Sequence, residues 1–573
     1  MSTLGPTQPV EQSDLVALFT PKLITTLREG YDLRRFRADA VAGLTVAIVA
    51  LPLSMAIAIA SGTTPDRGLI TAIVGGFLVS ALGGSRFQIG GPAGAFIVLV
   101  SVTIMRHGID GLVLATFLAG LMLMAAGALR IGTYIKFIPF PVTVGFTAGI
   151  AVIIFASQLR DLFGLTLTGP EPGELIAKLK VLSAALPTLN TAAALLAVVT
   201  IAVIVLLKRV RPGWPGMLIA VALASLAAWV LALPVETIGT RFGGIPQGLP
   251  WPSLPDLSLA KVQAVLPDAV SLALLGAIES LLSAVVADGM TGRRHRSNCE
   301  LAAQGAANVG SALFGGICVT GTIARTATNV RAGAHGPVAG MLHSAFLLLF
   351  VLIAAPLASF IPLASLAAVL VVVAWTMAEK HEFVTLLRSS PGDATVLLAT
   401  FLLTVFRDLT EGIVVGVALG AILFIDRMSR NTAIQAHAPL VARDRPDDSN
   451  GARAGYDAAL ASDPDVVVYR ITGAFFFGAA STVGAVLDRI ADQHKAFVID
   501  FSEVPFLDST AANAIGRLAL KAGKGGVRIY LTGMSRDVRA ALFTHGARPP
   551  HVTYRSSIAA AVLQIKRGVR SAG

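Results

Sequence analysis

The sequence predicts a polytopic α-helical membrane protein that ends in a small soluble α/β domain. Three observations carry this. The 573 residues are 54% hydrophobic and only 14% charged, where a soluble domain carries roughly 25% charged residues. Apolar runs of span length succeed one another from residue 38 to residue 430, joined mostly by short loops that hold much of the basic charge. Beyond them the pattern changes to short β-branched runs alternating with amphipathic ones. The net charge of +11 sets membrane orientation rather than nucleic-acid binding, because the basic residues sit between spans. Cys299 and Cys318 are too few for a disulfide framework. The first 40 residues are polar and mixed in charge, so no cleavable signal peptide is expected.

Residues 1–37 form an N-terminal arm with Arg28, Arg34, Arg35 and Arg37 just ahead of the first span. The positive-inside rule places this arm in the cytoplasm. The first pass covers 38–60, with Pro52 in its middle, and the second covers 68–82. Then Gly90-Gly91-Pro92 interrupts the pattern. Pro92 suits the first turn of a helix. The apolar run after it reaches only to about Met105, too short to cross ~30 Å. The expectation is an extended stretch followed by a half-helix. Further runs lie near 109–127, 135–157, 189–207, 214–232, 265–288 and 300–314. A second broken element follows over 316–331, then runs at 334–355, 362–378, 391–407 and 410–428. This gives about fourteen passes. Basic loops follow even-numbered passes, although the outer loop 158–188 also holds Arg160, Lys178 and Lys180.

The broken elements are passes three and ten. A spacing of seven makes the two halves enter the membrane from opposite sides, the pattern of an inverted repeat. In the second element Gly315 and Gly316 oppose a helix, whereas Thr322 to Asn329 can begin one, with Arg325 in its first turns. An arginine at that depth costs at least ~2.5 kcal/mol and is a functional candidate; the alternative is an extramembrane loop with a surface arginine. Two helix starts meeting in mid-membrane would offer free N–H groups and partial positive charge, and Arg325 would add a full charge. That is a site for a small anion. Coincidental glycine spacing is the bland reading.

Glu279 is the other informative charge, with Ser283 one turn on along the same face. A carboxylate there can load and release a proton, or with the hydroxyl hold Na⁺. The alternative is a Glu paired with Arg325 only to satisfy both charges. Asp288 reads as interfacial. Residues 431–464 read as a linker, 465–565 as a soluble cytoplasmic domain and 566–573 as a tail. Strands are expected at 466–471, 497–501 and 527–531, and helices at 481–493, 510–523 and 535–544. No catalytic cluster, metal-ligand spacing or Walker loop is present in the sequence, so neither enzyme activity nor a cofactor nor ATP drive is expected.

The runs Ile278-Glu279-Ser280-Leu281-Leu282-Ser283, Asp288-Gly289-Met290-Thr291-Gly292 and Ser297-Asn298-Cys299-Glu300-Leu301 resemble the sulfate permease (SulP) family. So do Gln304-Gly305-Ala306-Ala307-Asn308, Thr320 through Asn329, Leu51-Pro52 and Gly91-Pro92. The C-terminal domain resembles a STAS domain. The resemblance spans the chain and implies seven plus seven inverted passes, with a core domain moving against a gate domain. It implies transport of a small inorganic or organic anion and a tendency to form homodimers. It places substrate near Pro92, Ala93 and Gly94, near Thr322, Ile323, Ala324 and Arg325, and beside pass one at Leu53 and Ile57. Family members often carry Gln and an aromatic at those last two positions, and some have a hydroxyl where this chain has Ala324. It makes Glu279 and Ser283 a possible coupling-ion site for H⁺ or Na⁺. Asp508-Ser509-Thr510 resembles the phospho-acceptor turn of anti-sigma-factor antagonists, so Ser509 and Thr510 are regulatory candidates; an ordinary helix cap is the alternative. The expected function is coupled secondary transport of an oxyanion across the inner membrane, with both termini cytoplasmic. The rivals are an uncoupled exchanger or channel, and a membrane-anchored STAS regulator.

Overall fold

The computed structural model describes residues 18–133, 138–169, 171–211, 214–407, 409–431, 466–472, 496–524 and 526–570. The helix expected at 481–493 and nearly all of the linker lie outside them. In chain order the membrane part contains α1 Lys22–Arg28, α2 Leu33–Ala60, α3 Pro65–Leu82, β1 Gly90–Gly91, α4 Ile97–Ala128 and α5 Phe140–Phe163. Then come α6 Leu175–Ala184, α7 Thr191–Val210, α8 Gly216–Val230, α9 Ile238–Phe242, α10 Leu259–Thr291 and α11 Ser297–Leu313. The second broken element is β2 Thr320–Gly321 and α12 Ile323–Arg331. It is followed by α13 Val338–Ala358, α14 Leu363–Met377, α15 Lys380–Ser389, α16 Pro391–Phe406 and α17 Leu409–Asn431. Among the described residues eight helices are long and apolar enough to cross a membrane unaided. Passes three and four are two helices that meet at a kink at Gly108, whose φ of 69° is open to glycine at little cost.

The chain divides into two compact units, one of residues 1–135, 147–379 and 402–411, the other of 136–146, 380–401 and 412–573. In the first unit the two interruptions pair with each other. Gly90 opposes Gly321 and Gly91 opposes Thr320 in a short antiparallel ladder. Non-helical backbone at membrane depth must be satisfied from within the protein, and α11 supplies much of this. Its Glu300, Gln304, Asn308 and Ser311 are fully buried and form a polar stripe at helical spacing. Asn308 clamps Val319 on both sides, with Nδ2 donating to the carbonyl (2.8 Å) and Oδ1 accepting from the N–H (3.0 Å). Ser311 donates to the Ile317 carbonyl at 2.7 Å, and Thr71 accepts from the Ile317 N–H at 2.8 Å. Glu300 takes the Ser85 N–H at 2.9 Å. On the other strand, Ile89 N–H donates to Thr326 and Asn329 donates to the Phe87 carbonyl.

One local expectation changes. Pro92 does not open a helix: the chain stays extended through Ala93 (φ −114°, ψ 145°), and a single 3-10 turn at Gly94–Phe96 precedes α4. The ladder at Gly90–Gly91 and the Pro92 carbonyl, which accepts from Arg325, hold the peptide straight until Gly94. The passes expected at 135–157 and 265–288 are also displaced or longer, covering 140–163 and 259–291.

In the second unit, β3 Val466–Thr472, β4 Ala496–Glu503, β5 Arg528–Thr532 and β6 Val552–Arg555 form a parallel sheet in the order 3-4-5-6. A parallel sheet is covered on both faces. Helix α18 Ser509–Lys524 lays Ala511, Ile515, Leu518 and Ala522 against Phe497, Ile499 and Phe501. Helix α20 Ile558–Arg570, which follows α19 Arg536–Thr544, packs Ala561, Val562 and Ile565 on Val498 and Tyr530. The strand β6 and helix α20 were not expected from the sequence. Asp500 lies within β4, opposite Arg470 of β3 and Thr532 of β5. Burial alone would push its carboxyl up, but hydrogen bonds from Ser502 (2.6 Å), Arg470 (2.9 Å) and Thr532 (3.0 Å) outweigh burial and hold it below the usual carboxylate range.

Candidate anion site

The ladder brings the starts of two helices side by side. Neither start is capped by a side chain: Ala93 has none to offer, and the Thr322 hydroxyl turns to the Ile89 carbonyl at 3.4 Å. The first N–H groups of a helix have no intrahelical acceptor, so both ends keep their partial positive charge. On α12, Ala324 is exposed and Ile323 half-exposed, while Thr322, Arg325, Thr326 and Asn329 face into the protein. Gly94 is half-open too. The open patch therefore consists of small or apolar side chains around bare backbone.

Arg325 is 1% exposed and lies behind this patch. Its Nη2 donates to Ser54 Oγ (3.0 Å) and to the Pro92 carbonyl (3.3 Å), while Nε and Nη1 are buried without a partner. Among the described residues no carboxylate lies within ion-pair distance of it, so the Glu279–Arg325 pair weighed above does not form. Gly91 makes room for the guanidinium, since a Cβ there would sit 2.1 Å from Nη1.

Glu279 is buried on α10, and no hydrogen bond or ion pair of its side chain is seen among the described residues. The helix is pinned around it: Thr320 donates to the Gly276 carbonyl (3.2 Å), Gln88 to the Ser280 carbonyl (2.9 Å), and Ser283 Oγ to Thr326 Oγ1 (3.1 Å). Ser283 thus spends its proton on α12 and keeps its lone pairs. Leu53 and Ile57 are buried on α2, which packs against α12. Ser54, between them, makes the polar contact that sequence reasoning missed. It is one of two hydroxyls in a pass that is apolar beyond Asp39 at its start, and that was the available signal. Thr326 was also passed over, yet it joins Ile89, Ser283 and α12. Asp288 accepts from His295 N–H (3.0 Å) and meets its Nδ1 at 2.7 Å. No metal-ligating cluster is found among the described residues.

In the second unit, Asp508 caps α18 by accepting from Ala511 N–H at 2.8 Å, as the cap reading requires. Ser509 is buried and its hydroxyl donates to Asp393 in the first turn of α16. Thr510 Oγ1 is buried without a partner. Asn513 donates to Glu382 of α15 at 3.2 Å.

The sulfate permease family matches residues 36–400, and the STAS domain family matches 457–560. The chain belongs to the sulfate permease family. A Bacillus subtilis (strain 168) relative named "Putative sulfate transporter YvdB" is 39% identical over 524 residues, covering 90% of this chain and 95% of that protein. The bicarbonate transporter BicA of Picosynechococcus is 30% identical over 525 residues, 89% of this chain and 90% of that one. The solved transmembrane domain of a cyanobacterial BicA aligns with a TM-score of 0.61 at 32% identity, covering 67% of this chain and 98% of that domain. The inward-facing murine anion transporter Slc26a9 aligns at 0.66 with 19% identity over 98% of this chain and 96% of its own, a likeness of fold. This sulfate permease family member therefore has the helical transporter fold with a C-terminal STAS domain.

Proposed function

We propose that this family member moves a small oxyanion, of the sulfate, bicarbonate or dicarboxylate class, by secondary active transport coupled to H⁺ or Na⁺. The observation that carries the reading is the Gly90–Gly91/Thr320–Gly321 ladder, which sets two uncapped helix starts together with Arg325 behind them. The anion docks on the free N–H groups near Gly94 and Ile323. Arg325 acts through its field, because its buried guanidinium is held off the open patch. Leu53 and Ile57 keep pass one apolar, so the anion is recognised by backbone and charge rather than by side-chain hydrogen bonds there. Glu279 gives coupling a physical basis: its negative charge opposes the anion until H⁺, or Na⁺ shared with Ser283, neutralises it. The names of the relatives support sulfate and bicarbonate within that class. The core then carries the loaded site past the gate, at the inner membrane with both termini cytoplasmic and as a homodimer.

Uptake of labelled sulfate and bicarbonate into proteoliposomes tests this, with competition by a panel of anions. Arg325→Ala should abolish uptake and Arg325→Lys should retain part of it. Full uptake by Arg325→Ala would remove the arginine from the site.

A further inference from the structure

The described part of the N-terminal arm, residues 18–37, has two faces with different business. Its inner face is fastened to the first unit. Lys22 N–H donates to the Gly83 carbonyl at 2.9 Å. Arg296 Nη1 donates to the Thr20 carbonyl (2.5 Å) and to Thr25 Oγ1 (2.9 Å). Arg86 pairs with Glu29. Asp39 collects Tyr31 OH at 2.6 Å, His335 N–H at 2.5 Å and Gly336 N–H at 3.1 Å. The arm is therefore tied directly to Gly83–Arg86, which lead into the first broken element, and through Tyr31 and Asp39 at the start of pass one to the turn at His335–Gly336, which leaves the second.

The outer face is apolar and mainly basic. Ile24, Leu27, Leu33 and Phe36 are exposed, as are Arg28, Arg34 and Arg37; of the two exposed acids, Glu29 is paired with Arg86 and Asp32 caps α2 by accepting from Arg35 N–H. Helix α2 has 28 residues, about 42 Å at 1.5 Å per residue, whereas the hydrocarbon core is about 30 Å thick. Its first turns therefore project into the headgroup layer. On a helix, Arg34 shares a face with Val41 and Arg37 with Leu44, seven residues on in each case. Val41 is 62% and Leu44 46% exposed, as lipid-facing residues of a pass are. The two guanidinium groups thus stand directly above lipid-facing positions, at headgroup level.

We propose that this outer face is a binding surface for anionic lipid headgroups, and that bound lipid tightens the strap across the two broken elements. The commitment to lipid rests on charge complementarity and on the continuity of Arg34 and Arg37 with the lipid-facing stripe. The apolar side chains enter the acyl boundary while the arginines hold phosphates. Each basic side chain near an anionic surface strengthens binding about fivefold, so three together contribute about a hundredfold.

The test is thermal unfolding of the purified full chain in detergent, with phosphatidylglycerol, phosphatidylcholine or inorganic phosphate added. The wild type should gain stability from phosphatidylglycerol alone. The triple variant Arg28→Gln, Arg34→Gln, Arg37→Gln should lose most of that gain, and the triple Arg→Lys variant should keep it. Hydrogen exchange at 83–87 and 335–336 should slow with phosphatidylglycerol in the wild type and not in the Gln variant. Equal gains in wild type and Gln variant would overturn the proposal. So would a gain reproduced by free phosphate, or one that follows self-association without lipid.

Discussion

Gly91→Ala tests the architecture of the anion site most sharply. A methyl group at Gly91 would lie 2.1 Å from Arg325 Nη1 and 3.2 Å from Cζ. Ordinary contact begins near 3.4 Å, so the guanidinium must retreat by about 1.3 Å. Nη2 already bonds Ser54 Oγ at 3.0 Å and the Pro92 carbonyl at 3.3 Å, and a retreat of that size breaks both. Hydrogen bonds to a charged group are worth about 1.5–3 kcal/mol each. Allowing for partial rearrangement, the loss is about 3 kcal/mol in holding the guanidinium in its seat; a site equilibrium displaced by that much leaves roughly one molecule in a hundred competent, so anion uptake falls roughly a hundredfold. The assay is initial-rate uptake in proteoliposomes for wild type, Gly91→Ala, Arg325→Lys and the double variant. The narrower ammonium of lysine does not fill the space beside Gly91, so Gly91→Ala should cost little on the Arg325→Lys background. Equal cost on both backgrounds would refute the claim that this glycine exists to seat the guanidinium.

Three further outcomes are expected. Glu279→Gln, which keeps shape and removes the titratable charge, should leave anion exchange but abolish accumulation driven by a proton or sodium gradient; intact gradient-driven accumulation makes Glu279 structural and the protein an uncoupled exchanger. Asp500 is held below its unfolded carboxylate range, so its contribution is present above that range and is lost as pH falls through the folded value; thermal unfolding of the STAS part should weaken in acid, and Asp500→Asn should cost about 2–3 kcal/mol at neutral pH and flatten the profile. Ser509→Ala should cost about 1 kcal/mol by removing the donor to Asp393, and Ser509→Asp or a phosphate at Ser509 should cost more by setting like charges together; a thermal melt in which Ser509→Asp is the more stable variant would reverse that electrostatic reading.

Much of the scaffold was legible because its signals are local. Apolar length marked the passes, and glycines at Gly90–Gly91 and Gly315–Gly316 marked the interruptions. The spacing of seven passes paired the two interruptions with each other. Arg325 and Glu279 stood out because a buried charge is costly wherever it falls. In the soluble part, β-branched runs gave three of the four described strands. Strand β6 is only four residues long and carries little signal of its own, whereas α20 repeats Ile558, Ala561, Val562 and Ile565 at helical spacing and was legible but passed over.

The chain's own chemistry thus determined which segments enter the bilayer, where helices must break and which charges need an explanation. Only tertiary structure decided how those breaks are stabilised and where the charges point. Glycines announce that a helix stops, but not which side chain will satisfy the freed backbone. Asn308 and Ser311 do so for the second element from 11 and 6 residues away, whereas Thr326 and Asn329 do so for the first from 237 and 242 residues away. The same holds for Arg325: its cost was visible in sequence, but its orientation toward Ser54 and Pro92 depends on contacts hundreds of residues away. Local propensity is a property of neighbours along the chain; satisfaction of buried polar groups is a property of neighbours in space.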